Sequence, residues 1–257
     1  DGVADDLEWD AAWDDAEFLV PRKGTPGTPE EAVLAAALRI RGAHPDSARA
    51  GRRSVVFVRH ARPSDLRGDA GVAHPPLADD GKKQAQLTGE RLLKILGEAE
   101  VRAIYHSGAP EAKATGEVIE ACLKTGRHRC ELIESALLKE GIPVLPSPAP
   151  QGFIESISGD EAELALDATR AEGAFRAHVW RPTGEEPSRA SADVVVGHGN
   201  MLRYIACRAL QLPPTAWSRL RAHHCAVTWL DVDSDGSVSL REFGGVGHLP
   251  PELVTYH

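Results

Sequence analysis

No run of the 257-residue sequence approaches the roughly 18 continuous apolar residues that a membrane-crossing helix needs, which argues against a span within this chain. Positive charge is not in excess. Lys and Arg number 29 against 38 Asp and Glu, giving a formal net charge of −9, so nucleic acid and anionic membrane are poor partners. The four cysteines, Cys122, Cys130, Cys207 and Cys225, contain no C-x-x-C pair, and buried reduced thiols are expected rather than a disulfide framework. Internal repeats and low-complexity tracts are also missing. The chain opens on Asp1 rather than Met, as expected of a processed or truncated form whose targeting segment would lie upstream.

What is present suits one sizeable core, with 42% hydrophobic residues. Residues 1–31 are acidic and turn-rich and read as an extended arm. Glu30 to Arg41 has apolar residues at helical spacing with Glu in its first turn. A polar linker, HPDSARAGRR, follows. Val55–Val58, Val101–Tyr105, Leu132–Ile133 and Val194–Val196 read as strands. Helices are expected over Asp79–Leu96, from Pro110 through Ile119, over Glu161–Val179 and over Met201–Leu210. Ala226–Val232 and Ser237–Glu242 read as a hairpin. Apolar runs alternating with helices predict an α/β fold in three layers, a mostly parallel central sheet with helices on both faces.

Two of the strands end in histidine: VVFVRH at His60 and VVVGH at His198. In open α/β sheets, ligands sit at the carboxyl ends of strands. Two imidazoles and Arg59 gathered there make a compact cationic pocket suited to a phosphoryl group. A lone histidine is usually a satisfied core or surface residue; two at matching strand ends, one beside an arginine, make that reading less attractive. A metal site ranks lower, because carboxylate or Cys ligands at helical spacing are lacking.

The segments VRHARPSD, HSGAPEAKAT, LLKEG and VVVGHGNMLRY, in that order, resemble the histidine phosphatase superfamily, whose fold is phosphoglycerate mutase-like. Arg59-His60-Ala61 stands where that family has Arg-His-Gly. WDAAWD, ALLKEGIPVLP, RAEGAFRAHVWR, RYIACRALQLPPTAW and FGGVGHLPPELVT narrow the resemblance to its mitochondrial serine/threonine protein phosphatases. The division implied is an arm with a Trp-Asp motif and one helix over residues 1–50 and a histidine phosphatase-like domain over 51–257. The resemblance implies His60 as the nucleophile that becomes phosphohistidine. Arg59 and His198 would hold the phosphoryl oxygens, and Glu140 would be the acid that protonates the leaving oxygen and then activates water. It implies no cofactor or metal, a mitochondrial location, a phosphoprotein substrate or partner protein, and a homo-oligomer assembled through Trp9, Asp10, Trp13 and Asp14. The chemistry is consistent: an imidazole nitrogen attacks phosphorus near neutral pH without first losing a proton.

One position breaks the pattern. The family has an arginine four residues before the threonine of its HS-x-x-x-R-x-x-x-T motif; here the threonine is Thr115 and the residue is Glu111. Lys113 lies about 200° away around a helix. Two unit charges about 4 Å apart interact by about 4 kcal/mol at an effective dielectric near 20. Losing that attraction slows a reaction roughly a thousandfold. The chain is therefore a weakened phosphatase, a pseudophosphatase kept as a structural or assembly subunit, or an enzyme for a substrate bearing its own cation, unless the loop shifts and Glu111 faces solvent. A mutase or metabolite phosphatase is a further alternative, since nothing fixes the substrate.

Three other signals were weighed. Asp231 to Phe243 matches the calcium-loop pattern with Glu242 at its twelfth place, but strand-like flanks favour a hairpin over an EF-hand. His223-His224-Cys225 reads as a turn beside the pocket rather than a metal site. WDAAWD puts Trp9 and Trp13 on one face of a helical turn, so they need a surface, either their own domain or a neighbouring subunit.

Overall fold

The computed structural model describes residues 9–14, 28–42, 50–64, 77–149, 151–153, 157, 161–182 and 186–256. Most of the expected extended arm, and the linker residues 44–49, lie outside the described residues.

Among the described residues, five α-helices and six strands build the fold. They are α1 (Pro29–Gly42), β1 (Ala50–Arg59), α2 (Asp79–Leu96), β2 (Glu100–His106), α3 (Pro110–Thr125), β3 (Glu131–Glu134), α4 (Glu161–His178), β4 (Glu186–Gly197), α5 (Gly199–Ala209), β5 (Val227–Asp233) and β6 (Val238–Gly245). The sheet runs β3-β2-β4-β1-β5-β6. β1, β2, β3 and β4 are mutually parallel, while β5 and β6 are antiparallel additions at one edge. The expected three layers are present.

Successive residues of a strand point to opposite faces, and β1 shows the result. Val55 and Phe57 enter one core with α1, α4 and α5, through Ala37, Phe175, Met201 and Ile205. Val56 and Val58 enter the other with α2 and α3, through Leu92, Ile119 and Leu123. A strand covered on both faces reads as an unbroken apolar run, as VVFV does.

The strands extend further back than their apolar runs. β1 begins at Ala50, inside the stretch read as linker, because the polar residues there find partners across the sheet. Arg53 is 1% exposed. Its Nη2 lies 2.5 Å from Asp193 on β4, its Nη1 donates to the His178 carbonyl at 2.6 Å, and its guanidinium stacks over Trp180. Arg52 pairs with Asp233 on β5 at 2.8 Å. A buried charge is tolerated only when paired and hydrogen-bonded in this way.

The Trp-Asp segment folds back onto its own domain. Trp13 is buried against Phe175, and its indole N–H donates to the Gly236 carbonyl at 2.9 Å. Asp14 accepts from Arg181 through its backbone N–H (2.9 Å) and its Nε (2.8 Å). Asp10 exchanges hydrogen bonds with Gln211, and Trp9 stays 40% exposed. All four cysteines are free and buried.

Candidate active site

Sheet register brings the two strand-end histidines together. Arg59 on β1 pairs with Gly197 on β4, and the His60 N–H donates to the Gly197 carbonyl at 2.9 Å. The side chains of His60 and His198 therefore stand side by side, ring centroids 5.1 Å apart and both buried. β2, on the other side of β4, delivers Ser107 to the same edge, its Oγ 2.8 Å from His198 Nε2. Two helices start here: α3 after Ala109, and α5 with His198 as its N-cap. Helix N-termini present unpaired N–H groups and a partial positive charge, which favour anions.

His60 Nδ1 lies 2.9 Å from the Ala61 carbonyl, which can only accept, so Nδ1 carries the proton and Nε2 a free lone pair. Burial, with His198 and Arg59 nearby, pushes the His60 pKa down to about 3, so the ring is neutral at pH 7. The Ala61 N–H donates to Thr115 Oγ1 at 2.9 Å, and Thr115 Oγ1 donates to the Glu111 carbonyl at 2.6 Å, tying the end of β1 to the first turn of α3. Ala61 is not among the described residues with positive φ, so its backbone does not require glycine.

Arg59 lies between α5 and the C-terminal segment. Its Nη1 donates to the carbonyls of Ala222 (2.8 Å) and Tyr256 (2.9 Å), and its buried Nε has no hydrogen-bond partner among the described residues. That Nε stands 3.7 Å from where a Cβ on Gly199 would sit, at the start of α5. Burial lowers its pKa, opposed by Glu140. Glu140 follows a 3-10 turn over Ala136–Leu138, and its Oε2 is 3.1 Å from His198 Nδ1. Its backbone carbonyl accepts from Arg170 Nη2 at 3.1 Å, which fixes the segment. Desolvation raises its pKa although the side chain is half exposed, but the hydrogen bond from His198 and the Arg59 charge prevail, and the net shift is downward.

Glu111 faces the pocket. One of its carboxylate oxygens and one ring nitrogen from each of His60 and His198 lie within 4.8 Å of one another. That removes the reading in which this side chain turns to solvent. Lys113 is exposed, on the other side of α3. Among the described residues, the charges at or beside the pocket are Arg59 and Arg203 against Glu111 and Glu140.

Three further segments contribute to the site. Ser107 sits inside HSGAPEAKAT, but only packing shows its contact with His198. The turn through His223-His224-Cys225 does lie beside the pocket, with the His224 ring 5.4 Å from that of His60. The C-terminal segment holds both neighbours. Thr255 accepts the His224 N–H on its carbonyl (2.9 Å) and meets His224 Nδ1 with its Oγ1 (2.9 Å), and Tyr256 meets Arg59. Thr255 ends the segment FGGVGHLPPELVT without a role of its own there, and nothing in the sequence marks Tyr256.

The remaining signals lie elsewhere. The calcium-like loop is a hairpin turn between β5 and β6. Its carboxylates are engaged: Asp231 with Ser54 and Trp229, Asp233 with Arg52, and Glu242 with Arg91. A cavity of about 750 Å³ opens at the opposite end of the sheet, among Arg102, Arg127 and His128, away from the histidine pair.

Residues 161–243 match the histidine phosphatase superfamily (branch 1). The chain belongs to the histidine phosphatase superfamily. Within it, the chain is close to proteins named serine/threonine-protein phosphatase Pgam5, mitochondrial. It is 32% identical over 250 residues to that of Drosophila ananassae, covering 96% of this chain and 80% of the relative. It is 34% identical over 203 residues to that of Drosophila yakuba, of which it spans 66% of the length. Among solved structures, the phosphoglycerate mutase of Plasmodium falciparum is 33% identical, with a TM-score of 0.52 over 80% of this chain and 99% of that one.

Proposed function

We propose that the chain is a phosphomonoester hydrolase acting on phosphoserine or phosphothreonine of proteins through a phosphohistidine at His60, with its rate held down by Glu111. The observation that carries this is the His60–His198 pair, 5.1 Å apart, with one unprotonated ring nitrogen on His60. His60 Nε2 attacks phosphorus and the ester oxygen leaves. His198 and Arg59, whose Nε lacks a partner, stabilise the equatorial oxygens, aided by the start of α5. Glu140 gives its proton to the leaving oxygen and takes one from the water that later cleaves the phosphohistidine. In the free protein Glu140 is held as a carboxylate; a phosphate dianion beside it raises its pKa by like-charge repulsion, so that it takes up a proton from solvent on substrate binding and can serve as the acid.

The relatives' names support a mitochondrial location and a phosphoprotein substrate. Trp9, the exposed member of the Trp-Asp motif, supports assembly through the arm.

A second reading has its own observation. Glu111 in the pocket disfavours phosphate, and a pseudophosphatase that scaffolds partners is consistent with it. Hydrolysis of p-nitrophenyl phosphate, compared with a His60→Ala control, together with trapping of an acid-labile phosphoprotein, decides between them. Activity and label that both vanish in the control support the enzyme. Absence of both from the parent chain supports the scaffold.

A further inference from the structure

Three separate elements deliver metal-ligating side chains to one point. His60 comes from the end of β1, Glu111 from the first turn of α3 and His198 from the cap of α5, with one ligand atom from each within 4.8 Å of the others. Two imidazoles and one carboxylate form the nitrogen–oxygen donor set that zinc and similar divalent ions take, with ligand bonds of about 2.0–2.2 Å.

The surroundings have what such a site needs. A ligating histidine normally donates its other ring N–H to a backbone carbonyl or a carboxylate, which fixes ring and tautomer. His60 does the first, from Nδ1 to the Ala61 carbonyl at 2.9 Å. His198 does the second, from Nδ1 to Glu140 at 3.1 Å. The free nitrogen on His60 is Nε2. On His198, with Nδ1 turned to Glu140, the other ring nitrogen is also Nε2, which lies 2.8 Å from the Ser107 hydroxyl; rotation of that hydroxyl frees it for a cation. Glu111 is on the first turn of its helix and half-buried, so its side chain has the freedom to close the remaining gap.

We propose that His60, Glu111 and His198 form a binding site for a divalent transition-metal cation of the zinc type, with Glu140 orienting His198 from the outer shell. An arginine at position 111, which the superfamily resemblance implies for relatives, would abolish the site. The single change that weakens the pocket for phosphate thus completes it for a cation. A bound cation takes the His60 lone pair, so occupancy and phosphoryl transfer at His60 exclude each other.

The test uses chelator-treated, dialysed protein titrated with Co²⁺ and followed by visible absorption, with a parallel calorimetric titration with Zn²⁺. The expected result is one equivalent bound with micromolar or tighter affinity. The d–d spectrum should lack a thiolate charge-transfer band. Glu111→Arg and Glu111→Gln should each weaken binding at least tenfold with circular dichroism unchanged. Glu140→Gln should weaken it about 10–100-fold, as outer-shell partners do. His128→Ala, remote from the pocket, should leave it unchanged. The proposal is overturned by the absence of stoichiometric binding, by a thiolate band, or by undiminished affinity in folded Glu111→Arg. Hydrolysis is not read in this assay, so a cation-binding chain with no phosphatase activity contradicts only the preceding section.

Discussion

A carboxylate oxygen of Glu111 and a ring nitrogen of His60 lie within 4.8 Å of each other, so an anion borders the proposed phosphohistidine. The burial that keeps His60 neutral also strengthens any charge placed beside it. At Glu111 this works against phosphate. The same carboxylate suits the helix on which it sits, because a negative charge in the first turn complements the helix dipole by about 0.3–1 kcal/mol. Under the proposed phosphatase reading, the position trades phosphate binding against the stability of α3.

Stability should fall on mild acidification, before most carboxylates titrate. His60 and His178 are both held near a pKa of 3 by burial, against 6.5 for a free ring. Between those values the unfolded chain binds more protons, so stability is present above pH 6.5 and is lost as pH falls below it. At pH 5 each ring costs about 1–2 kcal/mol. Denaturant titrations at pH 7 and pH 5 should show the loss. Among the described residues neither ring nitrogen of His178 has a partner, and the ring meets Tyr105 edge-on; His248, lowered to about 4, shares the effect, so His178→Phe should remove roughly a third of the slope. An unchanged slope would contradict the assignment.

The two tryptophans of the Trp-Asp motif should separate on substitution. Trp13 is 5% exposed and hydrogen-bonded within its own chain, so Trp13→Ala should cost about 3–5 kcal/mol and lower the melting temperature sharply. Trp9 is 40% exposed, and Trp9→Ala should leave the melting temperature of dilute protein within about 2 °C while reducing the mass measured by light scattering. Deleting residues 1–15 should also reduce that mass. If neither change alters it, the arm does not drive assembly.

The C-terminal residues should matter for catalysis although they carry no chemistry. Arg59 Nη1 donates to the Tyr256 carbonyl, and Thr255 holds His224 beside His60. Ending the chain after Val254 should lower kcat/KM at least about tenfold, the equivalent of about 1.4 kcal/mol of transition-state stabilisation. Tyr256→Phe should have a smaller effect, because the acceptor is the main-chain carbonyl. Equal losses would mean the phenol, not the backbone, positions Arg59.

The architecture was legible because its centre is simple. VVFV and VVVG are buried on both faces, and an unbroken apolar run is what such a strand requires. Asp79–Leu96 is read correctly to the residue, since its apolar face, acidic start and following Gly97 agree. Strand lengths were missed where polar residues are satisfied only by tertiary partners. Arg53 looks like linker until Asp193, 140 residues away, is placed against it. In the site, the residues next to apolar strand ends were legible, and Glu111 stood out as a departure in a motif. The turn through His223-His224-Cys225 was placed beside the pocket as well, but the contacts of Ser107, Thr255 and Tyr256 were not legible, because they arise between distant segments.

Activity of the Glu111→Arg variant toward p-nitrophenyl phosphate tests the central claim most directly. An arginine there replaces repulsion with a bidentate clamp on the phosphoryl oxygens. At least about a tenfold gain needs only about 1.4 kcal/mol of recovered transition-state binding. The expected order is Arg above Gln above the parent residue, with activity lost when His60→Ala is added. A folded Glu111→Arg variant with unchanged, His60-dependent activity would contradict the claim that Glu111 restrains this pocket.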